Sequence, residues 1–250
     1  MWYNEIADLY DAVVQYDEDI PFFIEQCKKI DGPVLELMAG TGRVSVPLLE
    51  AGVRLTCVDS SPEMLGILEE KLGARGLSAK VIHADVRRLD LPSEFPLAII
   101  PFQSFSELVS ESDRQAALSN IRKMLLPRGV LICTLHNPRI RLARMSNRGR
   151  EERRFSHPEG RDEVVLQVAC DYDPIAAVVT GTEVIEVYSA AGERLDRREV
   201  NIRFSLPDER WFRKAAKEAR FSVESLYGDY KCSPFREESN PYMIWVLRGG

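Results

Sequence analysis

The sequence predicts an α/β fold in which a mainly parallel sheet carries helices on both faces and a separate antiparallel element is added late. Three observations predict it. Val34-Leu35-Glu36-Leu37 is an apolar run that empties into small residues and then into an amphipathic stretch, the pattern of strand, tight turn and helix. Further strand-like runs alternate with helical ones as far as residue 138, as in a parallel sheet with crossover helices. From Val164 to Leu206, three strand-like runs follow one another without helices, which predicts an antiparallel platform.

Apolar spacing over Glu5–Val14 and Asp19–Ile30 suits two short helices, with Asp19 before Pro21 as a start signal for the second. Both precede the first strand and are expected over its ligand end. After the strand Val34–Leu37 come a helix, Val44–Ala51, closed by Gly52, and a strand, Val53–Val58, ending on Asp59. Ser60-Ser61-Pro62-Glu63 opens a helix to about Leu72. Lys80–Ala84, ending on Asp85, and Leu97–Phe102 read as strands, Arg114–Leu125 as a helix, and Val130–Leu135 as the fifth strand before His136-Asn137-Pro138. Residues 139–154 hold seven arginines and few large apolar residues, the composition of a solvated surface loop or of a lid that contacts an acidic substrate. The platform strands are Val164–Tyr172, Val178–Tyr188 and Arg194–Leu206. A helix from Pro207 to Ala219 and strands Phe221–Tyr227 and Tyr242–Leu247 complete the chain.

At 250 residues, 45% hydrophobic and 29% charged, the chain can bury a large core. Its net charge of −6 disfavours nucleic acid as a partner. No apolar run approaches the roughly 20 residues of a membrane span. The opening residues, Met1-Trp2-Tyr3-Asn4-Glu5, lack the basic flank and apolar core of a secretory signal, so a cytoplasmic location is expected. The five cysteines are scattered and mostly sit in apolar runs, which reads as core thiols.

The functional signal is the turn after the first strand. Gly40 and Gly42 let backbone N–H groups approach a ligand, and an acid at the end of the second strand can hold ribose hydroxyls; together they form the first half of a Rossmann-like unit and propose a nucleoside cofactor. Gly40-Thr41-Gly42-Arg43-Val44-Ser45 is one substitution from the nicotinamide pattern, so a nicotinamide oxidoreductase stays open at this point.

Glu36-Leu37-Met38-Ala39-Gly40-Thr41-Gly42, with Asp59, Asp85 and the aromatic end of the fourth strand, resembles the class I S-adenosylmethionine-dependent methyltransferases. Within that family the chain looks most like the small-molecule branch that includes the sugar N-methyltransferases. The likeness runs across nearly the whole chain, from Tyr10-Asp11 to Leu226-Tyr227-Gly228-Asp229-Tyr230 and Ser233-Pro234-Phe235. Met38 stands where the family usually has glycine. The resemblance implies a Rossmann-like seven-stranded sheet with an antiparallel insertion after strand five. It divides the chain into an N-terminal helical cap (1–30), a cofactor-binding core (31–138 and 207–250) and an insertion on the acceptor side (139–206).

It further implies S-adenosylmethionine as cofactor and S-adenosylhomocysteine as product. Tyr10, Glu36, Met38, Ala39, Gly40, Thr41, Gly42, Arg43, Asp59, Ser60, Met64, Asp85, Val86, Phe102, Gln103 and Phe105 are the expected cofactor contacts. Asp59 would accept from the ribose and Asp85 from the adenine amino group, Met64 would wall the ring, and Phe102, Gln103 and Phe105 would line the donor channel. Methyl transfer from a sulfonium requires alignment, exclusion of water and an unprotonated nucleophile, so no metal is expected. His136, at the ligand edge, is the candidate base; Tyr16, Arg139 and Tyr188 are candidate substrate contacts. The expected function is methylation of an amine or hydroxyl of a small metabolite by a monomer or homodimer. A non-catalytic cofactor-binding protein and a macromolecule methyltransferase remain as alternatives.

Overall fold

The computed structural model describes residues 2–146, 151–157, 160 and 162–250. Helix α1 (Trp2–Val13) and helix α2 (Ile20–Lys28) precede β1 (Val34–Leu37), α3 (Ser45–Glu50), β2 (Leu55–Asp59), α4 (Pro62–Arg75), β3 (Lys80–His83) and β4 (Phe95–Ile100). A 3₁₀ turn, Ser104–Glu107, leads to α5 (Glu111–Met124), β5 (Leu125–His136) and α6 (Pro138–Ser146). Then come β6 (Glu151–Ser156), β7 (Glu163–Asp173), β8 (Val178–Tyr188), β9 (Arg194–Ser205), α7 (Glu209–Glu218), β10 (Phe221–Tyr227) and β11 (Tyr242–Gly249).

The main sheet has seven strands in the order β10-β11-β5-β4-β1-β2-β3, parallel from β3 to β5, with β11 antiparallel to both its neighbours. Side chains alternate across a strand, and here the alternation sorts residues between two cores. Leu35, Leu37, Ala98, Ile100, Leu131 and Cys133 pack with α5 and α7, through Ala117, Leu118, Ile121, Phe212 and Ala216. Their neighbours Val34, Leu97, Ile99 and Ile132 face α2, α3 and α4, through Phe22, Phe23, Leu48, Leu65 and Leu68. The parallel strands' carboxyl ends therefore open on one edge, which is where such sheets hold ligands.

A second, four-stranded antiparallel sheet runs β6-β7-β8-β9. Alone it would leave an apolar face in water. Ile6, Leu9, Ala12 and Val13 of α1 cover that face, against Val164, Val179, Ile185 and Ile202. Only the first N-terminal helix thus lies over the ligand edge; α2 is built into the sheet's covering layer instead, because its two phenylalanines and Cys27 are all apolar on one side.

The arginine-rich segment departs from the expected surface loop. Among its described residues, α6 and the edge strand β6 are regular structure; residues 147–150 lie outside the described residues. β6 is charged and still a strand because its charges pair within the sheet. Arg154 meets Glu163 at 2.8 Å and Glu152 at 3.0 Å, while Phe155 turns into the core under α1. An edge strand presented this way resists pairing with another chain. Asp19 also departs from its expected role, since it makes no side-chain cap and gives its carboxylate to Arg43.

Candidate functional site

At the carboxyl edge of the main sheet the turn after β1 is built from left-handed backbone. Met38 (φ 58°), Gly40 (φ 57°) and Gly42 (φ 83°) all lie in the region that favours glycine. Met38 thus keeps the backbone that a glycine would supply. The two glycines differ in surroundings: a Cβ on Gly42 would stand 2.3 Å from Leu68 Cδ1, whereas a Cβ on Gly40 would meet nothing within 4 Å. Gly42 is required for packing; Gly40 opens onto a cleft.

That cleft has a volume of about 290 Å³. Eight of the expected cofactor contacts line it: Tyr10, Met38, Gly40, Asp59, Ser60, Met64, Asp85 and Val86. Asp59 is fixed by the backbone, its Oδ2 accepting from the Gly40 N–H at 2.8 Å and its Oδ1 from the Ser61 N–H at 2.9 Å. Burial raises its carboxyl above the ordinary value while these N–H groups oppose the rise. Ser61 caps α4 by accepting from the Met64 N–H at 3.2 Å, which sets Met64 against the cleft. Val58, Ala84, Val86 and Met64 give it an apolar wall, and Asp59 and Asp85 give it acids. An open glycine, an apolar slot and a positioned acid fit a nucleoside. Asp85 is held by Arg87, which reaches it through Nε at 2.9 Å and also pairs with Asp113 at 3.1 Å; the Arg87 hydrogen bonds lower the Asp85 carboxyl below its ordinary range.

The other expected contacts are near the cleft without lining it. Glu36 is 1% exposed, and burial pushes its carboxyl up to about 7, against the hydroxyl of Ser45 and the charge of Arg43. Ala39 is buried in the α2–α4 core. Thr41 donates its hydroxyl to Asp11 Oδ1 at 2.7 Å, tying the turn to α1, and Lys71 joins the same carboxylate at 2.5 Å. Arg43 binds Asp19 and the Tyr16 carbonyl and lies over the Phe102 ring at 4.6 Å. Phe105 is fully buried, edge-on to Phe212.

Phe102 and Gln103 line a second cavity of about 450 Å³ with Tyr16 and His136. Both Phe102 (φ 54°) and Gln103 (φ 59°) are left-handed without being glycine, a strained pair held by the Gln103 N–H donating to Thr134 Oγ1 at 3.0 Å. His136 is half-buried, and desolvation with the nearby Arg141 and Arg144 charges pushes its imidazole down to about 3. It is therefore neutral and weakly basic at neutral pH. Two expected substrate contacts lie outside both cavities. Tyr188 hydrogen-bonds Glu186 at 2.9 Å on the second sheet, and Arg139 faces Glu238 at 3.9 Å.

Of the residues that join the cavities, only Tyr10 is expected from the sequence. Trp2, Tyr3, Tyr10, Ser104 and Glu107 line both. Glu107 accepts from the Tyr3 hydroxyl at 3.0 Å, and burial pushes its carboxyl up to about 7. β9 also serves both spaces through its alternation: Asn201 and Arg203 line the first cleft, Ile202 and Phe204 the second.

This fold is shared with solved methyltransferases, and residues 34–129 match the family described as "Methyltransferase domain". Over 134 residues it is 37% identical to a glycine/sarcosine/dimethylglycine N-methyltransferase of Actinopolyspora halophila, a match that spans 52% of this chain and 24% of that relative. The fold is similar to the CcbJ methyltransferase from Streptomyces caelestis, with TM-score 0.82 and 23% identity over 100% of this chain and 98% of that one. It is also similar to an amino pentose methyltransferase from Micromonospora echinaspora with S-adenosylmethionine bound, with TM-score 0.67 and 16% identity over 100% and 92%.

Proposed function

We propose that the chain moves a methyl group from S-adenosylmethionine to an amine nitrogen of a small molecule. The carrying observation is the shared wall: a nucleoside-shaped cleft and a larger polar cavity meet at Tyr3, Tyr10, Ser104 and Glu107. The N-methylation named for the Actinopolyspora relative supports nitrogen as the methylated atom.

When bound, S-adenosylmethionine supplies a methyl group on a positively charged sulfur, and the sulfur keeps the electron pair of the broken bond as the nitrogen–carbon bond forms. Asp59 would hold the ribose, Met64 and Val86 the base, and Gly40 would let the backbone approach. The chain's task beyond positioning is to receive a proton, because only an unprotonated amine is a nucleophile. Glu107 suits this: it is half-buried at the shared wall, held by Tyr3, and desolvation pushes its carboxyl up to about 7. His136, uncharged and on the wall of the second cavity, is suited to hydrogen-bonding the acceptor. α6 and the second sheet form the rest of the acceptor side.

Among the described residues no helix is long and apolar enough to cross a membrane. All five cysteines are free thiols, which suits a reducing compartment such as the cytoplasm. The net charge of −6 supports a small acceptor over nucleic acid. We expect a monomer or homodimer. Calorimetric titration with S-adenosylmethionine and S-adenosylhomocysteine tests the assignment, followed by assay of S-adenosylhomocysteine release with a panel of small amines. Failure of both cofactors to bind saturably would overturn it.

A further inference from the structure

The second cavity contains a guanidinium that forms no ion pair among the described residues. Arg141, on α6, projects its guanidinium over the Phe204 ring at 5.5 Å, and its Nε is buried with no hydrogen-bond partner. Among the described residues no carboxylate lies within ion-pair distance of it. The other arginines of α6 and β6 are placed differently. Arg153 is held by Glu151 at 2.8 Å, and Arg144 is exposed at the rim. Glu183 is the acid of β8 that faces the same space, where burial raises its carboxyl while Arg153 and Arg141 oppose the rise. A desolvated guanidinium without a partner is costly, and proteins keep one where a ligand completes it. A second group points to the same cavity: Gln103 is 8% exposed, and its Nε2, also a donor, is buried and unpartnered.

Unsatisfied donors in one cavity, with Trp2 Nε1 and Ser106 Oγ beside those of Arg141 and Gln103, select an acceptor with oxygen lone pairs, and a guanidinium selects a charged one. Arg141 lines only the second cavity, whereas Glu107 also borders the donor cleft. The ends of the acceptor are thereby distinguished. We propose that the acceptor is an amine that also carries a small oxyanion, carboxylate or phosphate, with the anion on Arg141 and Gln103 and the amine at the shared wall by Glu107. This rests on the methyltransferase function proposed above and names the substrate class of that same site.

The test is a calorimetric titration of the S-adenosylhomocysteine-loaded protein with matched probes. Glycine, β-alanine and proline are each compared with their neutral amides, and phosphoethanolamine with ethanolamine. We expect at least one anionic member to bind roughly tenfold or more tightly than its neutral partner, equivalent to about 1.4 kcal/mol. A carboxylate preference and a phosphate preference identify which oxyanion the site takes. Arg141→Met should abolish the difference within the preferred pair, and Arg141→Lys should keep part of it, both with unchanged affinity for S-adenosylhomocysteine. Equal affinities within every pair, no binding by any anionic probe, or a preference that survives Arg141→Met would overturn the proposal. Should the wild-type protein fail to bind S-adenosylhomocysteine, the methyltransferase assignment fails first, and that result is read separately.

Discussion

Arg43 grips Asp19 through two parallel hydrogen bonds of 2.6 Å, and the aspartate is completely shielded from solvent. The pair joins the helix preceding β1 to the turn that follows it, and the same guanidinium lies over Phe102 at 4.6 Å. Removing one partner strands a buried charge. Asp19→Ala should destabilise the protein by about 3–5 kcal/mol, read as a fall in the urea midpoint. Arg43→Lys should also destabilise, because an ammonium cannot reproduce the forked contact or the stacking. A midpoint unchanged in both variants would contradict this account.

The glycines of the turn should separate stability from binding. In Gly42→Ala the new methyl meets Leu68 at a left-handed backbone position, so the melting temperature should fall by an amount equivalent to about 2 kcal/mol or more. In Gly40→Ala the methyl enters open space toward the cleft, so the main effect should be a loss of S-adenosylmethionine affinity of roughly tenfold or more, equivalent to about 1.4 kcal/mol. Scanning calorimetry and titration of the two variants give the comparison.

Met38 bears left-handed backbone without being glycine. Met38→Val should cost about 1–3 kcal/mol, since a β-branched side chain resists that conformation, whereas Met38→Gly should stay within about 1 kcal/mol of the parent as strain relief offsets lost packing and backbone entropy. Denaturant midpoints for both variants test the ordering.

Stability should respond to pH through Glu36. Burial raises its folded carboxyl from the ordinary 4.5 to about 7. Between those values the folded state keeps a proton that the unfolded chain has released, so this contribution declines as pH rises from about 4.5 to about 7. His136 acts oppositely: its folded value of about 3 lies below the ordinary 6.5, so its contribution is lost as pH falls through that window. Glu36→Gln should remove its own share of the decline toward pH 7, a change on the order of 3 kcal/mol across the window, and leave the share that Glu107 contributes through its similarly raised carboxyl. Urea unfolding at a series of pH values measures it.

For catalysis, Glu107→Gln should lower kcat by roughly a hundredfold, the lower range for loss of a general base. The rate of the parent enzyme should rise with pH through an apparent value near 7, the value to which burial pushes Glu107, and the variant should lose that limb. Retention of both kcat and the limb would place the proton acceptor elsewhere.

The parts of this architecture that were readable from residues alone are those governed by local rules. Strand β1, the glycine turn and Asp59 follow from an apolar run, small residues and an acid at fixed spacing, and all meet around one cleft. What escaped depends on distant neighbours. Glu151–Ser156 has the composition of a loop, and becomes a strand because Glu163 and Gln167 lie across from it to accept and share its charges. Glu107 sits in Ser104-Phe105-Ser106-Glu107, a sequence with no motif; its carboxyl is set by Tyr3, 104 positions away. Likewise His136 stands at the expected strand end, but its weak basicity arises from burial and from arginines on the following helix.

The helix α1 walls both spaces through Tyr3 and Tyr10, while Ile6, Leu9 and Val13 lock it to the second sheet. Substitutions on α1 therefore alter donor and acceptor chambers together. Arg141, Phe155, Leu166 and Glu183 border only the acceptor chamber. Under the proposed function, drift in α6 and β6–β8 would change the acceptor and leave the methyl source as it was, which would make the second sheet the region from which new specificities are selected.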